Sequence, residues 1–269
     1  MTNLKDKHGN EYTCDFRFEG SDTLVMSGGA LKCISFLGAI CAVGSIKDVK
    51  FKNFAGTSCG AIVSALLAVG FSPFQIFLKM VKAYSDTMNI TRVLDQTIAV
   101  VAEMFKEKGF EDTATFRDVF VKTGNRLAFV ATNVSKMREE VFSTETNPNM
   151  EVITAIRLSS ALPIVFSTTY YKNDIYVDGI FFDNFPLKLA KLFPNRKKVV
   201  GITTFGSHYD NRLRAFYAKP SIYKILMLFD NGKYFCVTKK EALTMFVTGY
   251  MYVFDGRSRN RRRRSSCSF

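Results

Sequence analysis

The sequence predicts an α/β protein, built as three layers, α/β/α, around a central and mostly parallel sheet. Two observations predict it. Along most of the chain, short apolar runs of the kind that form buried strands alternate with segments patterned as helices. And twice a short strand passes through a glycine-bearing turn straight into an apolar helix. Thr23–Met26 runs through Ser27-Gly28-Gly29 into Ala30–Ile46, and Phe51–Ala55 runs through Gly56–Gly60 into Ala61–Val69. Strand, turn and helix in that order make half of a βαβ unit, whose two strands lie parallel. With 269 residues and 47% hydrophobic content, the chain can enclose a sizeable core.

The remaining elements follow in order. Residues 1–20 form a polar lead-in, with an edge strand expected over Tyr12–Phe18. Ser72-Pro73 reads as N-cap and first residue of a helix through Ala83. Helical patterns cover Val93–Lys106 and, capped by Thr115, the stretch to Val121. Arg126–Asn133 is rich in β-formers in its middle and pairs with Glu140–Ser143. Met150–Leu158 is helical, Thr168–Val177 a hairpin turning at Lys172-Asn173-Asp174, Pro186–Phe193 a short helix and Val199–Phe205 a buried strand. From Ser221 onward the pattern is helical and aromatic, with a break near Asp230-Asn231-Gly232. The domain limits expected are 1–20 for the lead-in, 21–210 for the catalytic body, 211–255 for a C-terminal helical segment packed on it, and 256–269 for an arginine-rich tail disordered by composition.

The net charge of +13 favours anionic partners. Arg257, Arg259 and Arg261–Arg264 crowd into the tail, yet the body is basic without them. That tail has three readings: a solvated end, a nucleic-acid patch, or an anchor to anionic lipid. Lys5, Asp6, Lys7, Glu11 and Asp15 interrupt the first residues, so no secretory leader is expected. Cys33–Ile46, an uncharged apolar run, is too short to span a bilayer comfortably. The six cysteines include no C-x-x-C pair and no histidine at ligand spacing, so neither zinc nor a disulfide framework is expected, and a cytoplasmic setting is.

The chemistry gathers in three places. Gly56-Thr57-Ser58-Cys59-Gly60 fits G-x-S-x-G. In that pattern a serine sits at the apex of a turn too sharp for flanking side chains, above the positive end of the next helix. Ser27-Gly28-Gly29 presents backbone N–H groups after a strand. Those could cradle a phosphate or, beside a nucleophilic serine, the oxyanion formed when an acyl carbonyl is attacked. Neither G-x-G-x-x-G nor a P-loop is present. The serine needs a base. One candidate is Asp178, at a strand end before Gly179; the other is His208, which with Ser58 and Asp178 gives the chain order of an α/β-hydrolase triad. Cys59 reads either as a helix-terminus thiol or as a small packing residue whose N–H faces the oxyanion.

Four blocks carry a more specific resemblance. Leu24–Gly38, Gly56–Gly60, Arg157-Leu-Ser-Ser-Ala-Leu-Pro-Ile-Val-Phe166 and Tyr176-Val-Asp-Gly-Ile-Phe-Phe-Asp-Asn-Phe-Pro186 resemble, in this order, the conserved segments of patatin-like phospholipases. The resemblance implies a patatin-like fold and a Ser–Asp dyad without histidine. Ser58 is then the nucleophile and Asp178 the base, with the N–H groups around Gly28, Gly29 and Ala30 at the oxyanion and Lys32 near that loop. It implies hydrolysis of phospholipid or lysophospholipid esters through an acyl-enzyme, with no cofactor and no metal. Two alternatives stand beside it: an α/β-hydrolase-type esterase using His208, and a catalytically inactive lipid- or nucleic-acid-binding patatin-like protein. Ala30 and Cys33 replace family glycines, and Ile180 stands where the family has Gly or Ala. Because alanine adopts positive φ only at a cost, a conventional backbone is expected at Ala30.

Overall fold

The structure is a computed structural model and describes residues 2–5, 11–14, 18–84, 93–162, 169–203, 223–227 and 238–255. Strands β1 (Thr2–Lys5) and β2 (Glu11–Cys14) pair antiparallel as a sheet of their own. Of the strand expected over Tyr12–Phe18, the part up to Cys14 pairs with β1 and not with the main sheet, and residues 15–17 lie outside the described residues.

Strand β3 (Ser21–Met26) leads through a 3-10 turn, Ala30–Lys32, into helix α1 (Cys33–Gly44). Strand β4 (Asn53–Thr57) leads directly into α2 (Cys59–Ala68). β4 lies two residues beyond its expected position because pairing with the next strand continues through Gly56 and Thr57. Nearly every residue of α1 and α2 is buried, which suits helices that carry no charged side chain on any face. Helices α3 (Pro73–Tyr84), α4 (Val93–Glu107) and α5 (Phe116–Thr123) follow. Ser72 Oγ accepts from the Gln75 N–H while Gln75 Oε1 accepts from the Ser72 N–H, a capping box that starts α3. Thr115 and Asp118 do the same for α5.

Strands β5 (Arg126–Asn133) and β6 (Arg138–Ser143) pair antiparallel. After α6 (Val152–Ser159) come β7 (Thr169–Tyr171) and β8 (Asp174–Asp178). Lys172 and Asn173 between them both have positive φ, 47° and 67°, as a two-residue hairpin turn requires. A short helix α7 (Ile180–Asp183), a 3-10 segment Leu187–Leu192, β9 (Lys198–Thr203), β10 (Tyr223–Met227) and α8 (Lys239–Asp255) complete the order. The helical pattern expected from Ser221 is corrected at Tyr223–Met227. That run extends the sheet in parallel beside β9, and a run so short and apolar carries no period that separates strand from helix.

The main sheet has the order β10-β9-β3-β4-β5-β8-β7, with β6 also on β5. Its β10, β9, β3, β4 and β5 run parallel; β6, β7 and β8 are antiparallel additions. Alternate residues of β3 separate the two faces. Leu24 and Met26 join the large core with Phe36, Phe129 and Ile156, whereas Val25 joins a smaller one with Ala55, Ala128, Leu187 and Phe193. One helical layer is thick and the other is thin, consisting largely of the 3-10 segment against the small residues of β4 and β5. Helix α8 lies along α1 at backbone contact. A Cβ on Gly38 would fall 1.9 Å from Phe246 O, and one on Gly249 1.9 Å from Ser35 O. Among the described residues no helix is long and apolar enough to cross a membrane.

Candidate active site

One strand brings two distant segments together. On one side of β5, β4 occupies the positions up to Thr57, which faces Val130; on the same side, β8 arrives from the opposite direction with Asp178 facing Ala131. β6 takes the other side. The ends of β4 and β8 therefore meet head to head across adjacent residues of β5. Residues 120 positions apart come into contact there: Ser58 Oγ donates to Asp178 Oδ2 at 2.6 Å.

Both groups are tightly fixed. Ser58 takes φ 55°, ψ −125° and is followed at once by α2. The turn is compressed against its surroundings: a Cβ on Gly56 would lie 2.4 Å from Gly60 O, and one on Gly60 2.6 Å from Met26 O. Only glycine permits those approaches, which explains the two outer positions of the pentapeptide. The Ser58 N–H donates to Ser159 Oγ (2.9 Å), and Ser159 Oγ donates to Val130 O (2.6 Å). Asp178 is wholly buried. Its Oδ1 accepts from the Ile180 N–H (3.0 Å), its own N–H donates to Ala161 O (2.8 Å), and its carbonyl accepts from Thr132 Oγ1 (2.9 Å). Gly179 beside it donates its N–H to Ser159 O. Burial pushes the Asp178 carboxyl up to about 7, against the opposing pull of the Ser58 hydroxyl and the Ile180 N–H. A carboxylate of that affinity, 2.6 Å from a hydroxyl, can take its proton near neutral pH.

The donor turn after β3 stands beside this pair and differs from expectation in two respects. The Gly28 N–H is already engaged, donating to Asn184 O at 3.1 Å, so it does not face an incoming oxygen. And Ala30 adopts φ 49°, in the region alanine ordinarily avoids, at the head of the 3-10 turn into α1. Cys59, first residue of α2, is buried with its Sγ 3.9 Å from Ser27 O. Burial, then the Cys33 thiol and the Asp178 charge, hold its pKa well above the ordinary thiol value, with the Gly29 N–H pulling the other way. The thiol is therefore protonated and poorly nucleophilic. Lys32 is buried in the same turn, its N–H bonded to Gly29 O. His208 lies outside the described residues, as do His8 and the arginine tail. Among the described residues no three His, Cys, Asp or Glu side chains gather as a metal site would require.

Two residues at the site carried no role in the sequence reading. Ser159 links the Ser58 N–H to β5 across 101 positions; the Ser-Ser pair ahead of Ala161-Leu162 was its only trace. Asn184 is the other. Its Oδ1 is buried without a hydrogen-bond partner, and a Cβ on Gly28 would lie 2.7 Å from it and 3.2 Å from Ser58 Cβ. A half-turn of the amide presents N–H at the same point.

A family model described as patatin-like phospholipase matches residues 24–89 and 77–191 of this chain. A protein of Invertebrate iridescent virus 6 described as "Probable lipid hydrolase 463L" is 31% identical over 270 residues, covering 91% of this chain and 92% of its own length. An uncharacterised protein of Bacillus subtilis, YqhO, is 28% identical over 207 residues, 66% of this chain and 69% of its own. Among solved structures, VipD from Legionella pneumophila shares the fold, with a TM-score of 0.60 at 15% identity over 94% of this chain and 70% of that one.

Proposed function

The chain belongs to the patatin-like phospholipase family, and from that premise we propose that it cleaves acyl esters of phospholipids or lysophospholipids through Ser58 and Asp178. The observation that carries this reading is the 2.6 Å hydrogen bond from the Ser58 hydroxyl to a fully buried carboxylate. Ser58 Oγ attacks the ester carbonyl as Asp178 takes the hydroxyl proton. The carbonyl oxygen becomes an oxyanion beside the N–H groups of Gly29, Ala30 and Cys59, at the starts of α1 and α2, where helix dipoles favour negative charge. With its amide turned by half, Asn184 offers a further N–H beside Gly28. The tetrahedral carbon then expels the alcohol, which leaves with the proton held by Asp178. Water attacks the acyl-serine with Asp178 again accepting a proton, and the fatty acid and the Ser58 hydroxyl are released. Gly56, Gly60 and Gly179 shape the turns, and Lys32 braces the donor loop.

Fatty-acid release from mixed phospholipid and lysophospholipid substrates tests the reading, together with fluorophosphonate labelling. The wild type should release fatty acid and label at Ser58, and Ser58→Ala should do neither. Turnover that survives Ser58→Ala would refute it. Near-complete loss of turnover in His208→Ala would favour the triad of Ser58, Asp178 and His208 instead.

A further inference from the structure

The edge of the sheet at which Ser58 lies also carries large apolar side chains that face water. Ile180, Phe181 and Phe182 follow Asp178-Gly179 directly and are 37%, 59% and 49% exposed. They make up most of α7, which is tied to the elbow by Thr57 Oγ1 donating to Asp183 O at 2.8 Å. The acidic groups near them, Asp183 at 3.3 Å and Glu139, share one cation, Lys188. Three successive exposed residues of this size form a wedge better suited to an apolar medium than to water.

The end of α8 points to the same edge. Gly249 lies against Ser35 and Phe246 against Gly38, so α8 runs antiparallel to α1. Since α1 begins at the donor turn, each residue along α8 advances toward that turn. From Ala242 to Phe254 the helix carries no charge, and Met251 near its end is 47% exposed. Past Asp255 the sequence continues with Arg257, Arg259 and Arg261–Arg264. An apolar wedge and the starting point of a strongly cationic segment thus flank the Ser58–Asp178 pair.

We propose that this edge docks onto an anionic lipid bilayer, Phe181 and Phe182 entering the acyl layer beside Asp178; the cationic sequence beyond Asp255 argues for anionic headgroups. The partner is a lipid surface, and the proposal rests on reading Ser58 and Asp178 as a lipid hydrolase. Aromatic rings settle at the boundary between headgroup and acyl chain, and arginine near an anionic surface adds attraction that salt screens. A second exposed apolar stripe, Leu243 and Val247 on α8 with Phe74 and Leu78 on α3, lies on the flank of the molecule. Docking by that stripe would lay α8 along the bilayer and leave the Ser58 edge at its side.

Co-sedimentation of the full-length Ser58→Ala protein with vesicles separates these cases without lipid turnover. Binding to phosphatidylserine–phosphatidylcholine vesicles should exceed binding to phosphatidylcholine alone by about tenfold or more, and should weaken in high salt. Arg261→Gln, Arg262→Gln, Arg263→Gln and Arg264→Gln combined should lower it by about tenfold or more. Phe181→Ser with Phe182→Ser should also release the protein while thermal melting by circular dichroism stays unchanged. Leu243→Ser with Val247→Ser should leave binding intact. Equal binding to both vesicle types, binding indifferent to Phe181→Ser with Phe182→Ser, loss through the flank pair alone, or tail-dependent binding to mixed-sequence RNA without vesicle binding would each overturn the proposal. An inactive wild type that still binds vesicles would refute the hydrolase reading and leave docking standing; an active wild type that binds none would do the reverse.

Discussion

The turns after β3 and β4 invite comparison. Each leaves the end of a parallel strand and enters a helix within a few residues, and each forces one non-glycine residue to positive φ: Ala30 at 49° and Ser58 at 55°. Such a conformation costs on the order of 1–2 kcal/mol per residue. At Ser58 the strain is opposed on every side. Its N–H is bonded to Ser159, its hydroxyl to Asp178, and its carbonyl accepts from the N–H groups of Ala61 and Ile62. At Ala30 there is no side-chain bond to make; the turn closes through Lys32 N–H to Gly29 O and Cys33 N–H to Ala30 O, and otherwise by packing. Strain is held by bonds at Ser58 and by packing at Ala30; on the proposed reading the first fixes the reacting atom and the second only a set of backbone donors.

That contrast can be broken at the elbow or sharpened at the donor turn. The largest effect is expected at the base. Asp178→Asn should lower kcat/KM by about 10⁴-fold while leaving the fold intact, as measured by steady-state ester hydrolysis. Next comes pH. If Asp178 is the base, activity follows the ionised carboxylate, so below a midpoint of about 7 it should fall tenfold per pH unit and above it level off. Stability should run the other way. The folded value is raised above the unfolded one, so the contribution of Asp178 is complete below about pH 4 and is lost as pH rises through about 7. Denaturant titration across that window should show the slope in the wild type and its loss in Asp178→Asn. Ser159→Ala leaves the buried Ser58 N–H without its acceptor and should cost about 1–3 kcal/mol of stability in the same assay. The smallest change is a gain: Ala30→Gly should stabilise by about 1 kcal/mol, because glycine takes positive φ without strain. No gain there would mean that packing has removed the cost and that the two turns are held alike.

What was legible follows the range of the interactions. Gly56, Ser58 and Gly60 could be read together because the close approach of Gly56 to Gly60 acts over four positions. The Ser72–Gln75 and Thr115–Asp118 boxes and the positive-φ pair at Lys172-Asn173 are equally local. Ser159 was opaque because its work is done across 101 positions, and no serine announces such a partner. The capture of the Gly28 N–H by Asn184 was hidden for the same reason. So was the conformation of Ala30: residue type argued for an ordinary backbone, and the demands of two packed elements overrode it. Tyr223–Met227 was misread because edge pairing with β9, not periodicity, makes it a strand.

The meeting of β4 and β8 along β5 has a consequence for the chain as it is made. Ser58 is in place once β4 sits on β5, but Asp178 arrives only when the β7–β8 hairpin closes on the stretch from Ala131 to Asn133. If the two act as proposed, a nascent polypeptide, or a fragment cut anywhere between Ser58 and Thr169, holds an alcohol with nothing to deprotonate it. The order of assembly would then be a safety catch, keeping unfinished copies harmless to surrounding lipid.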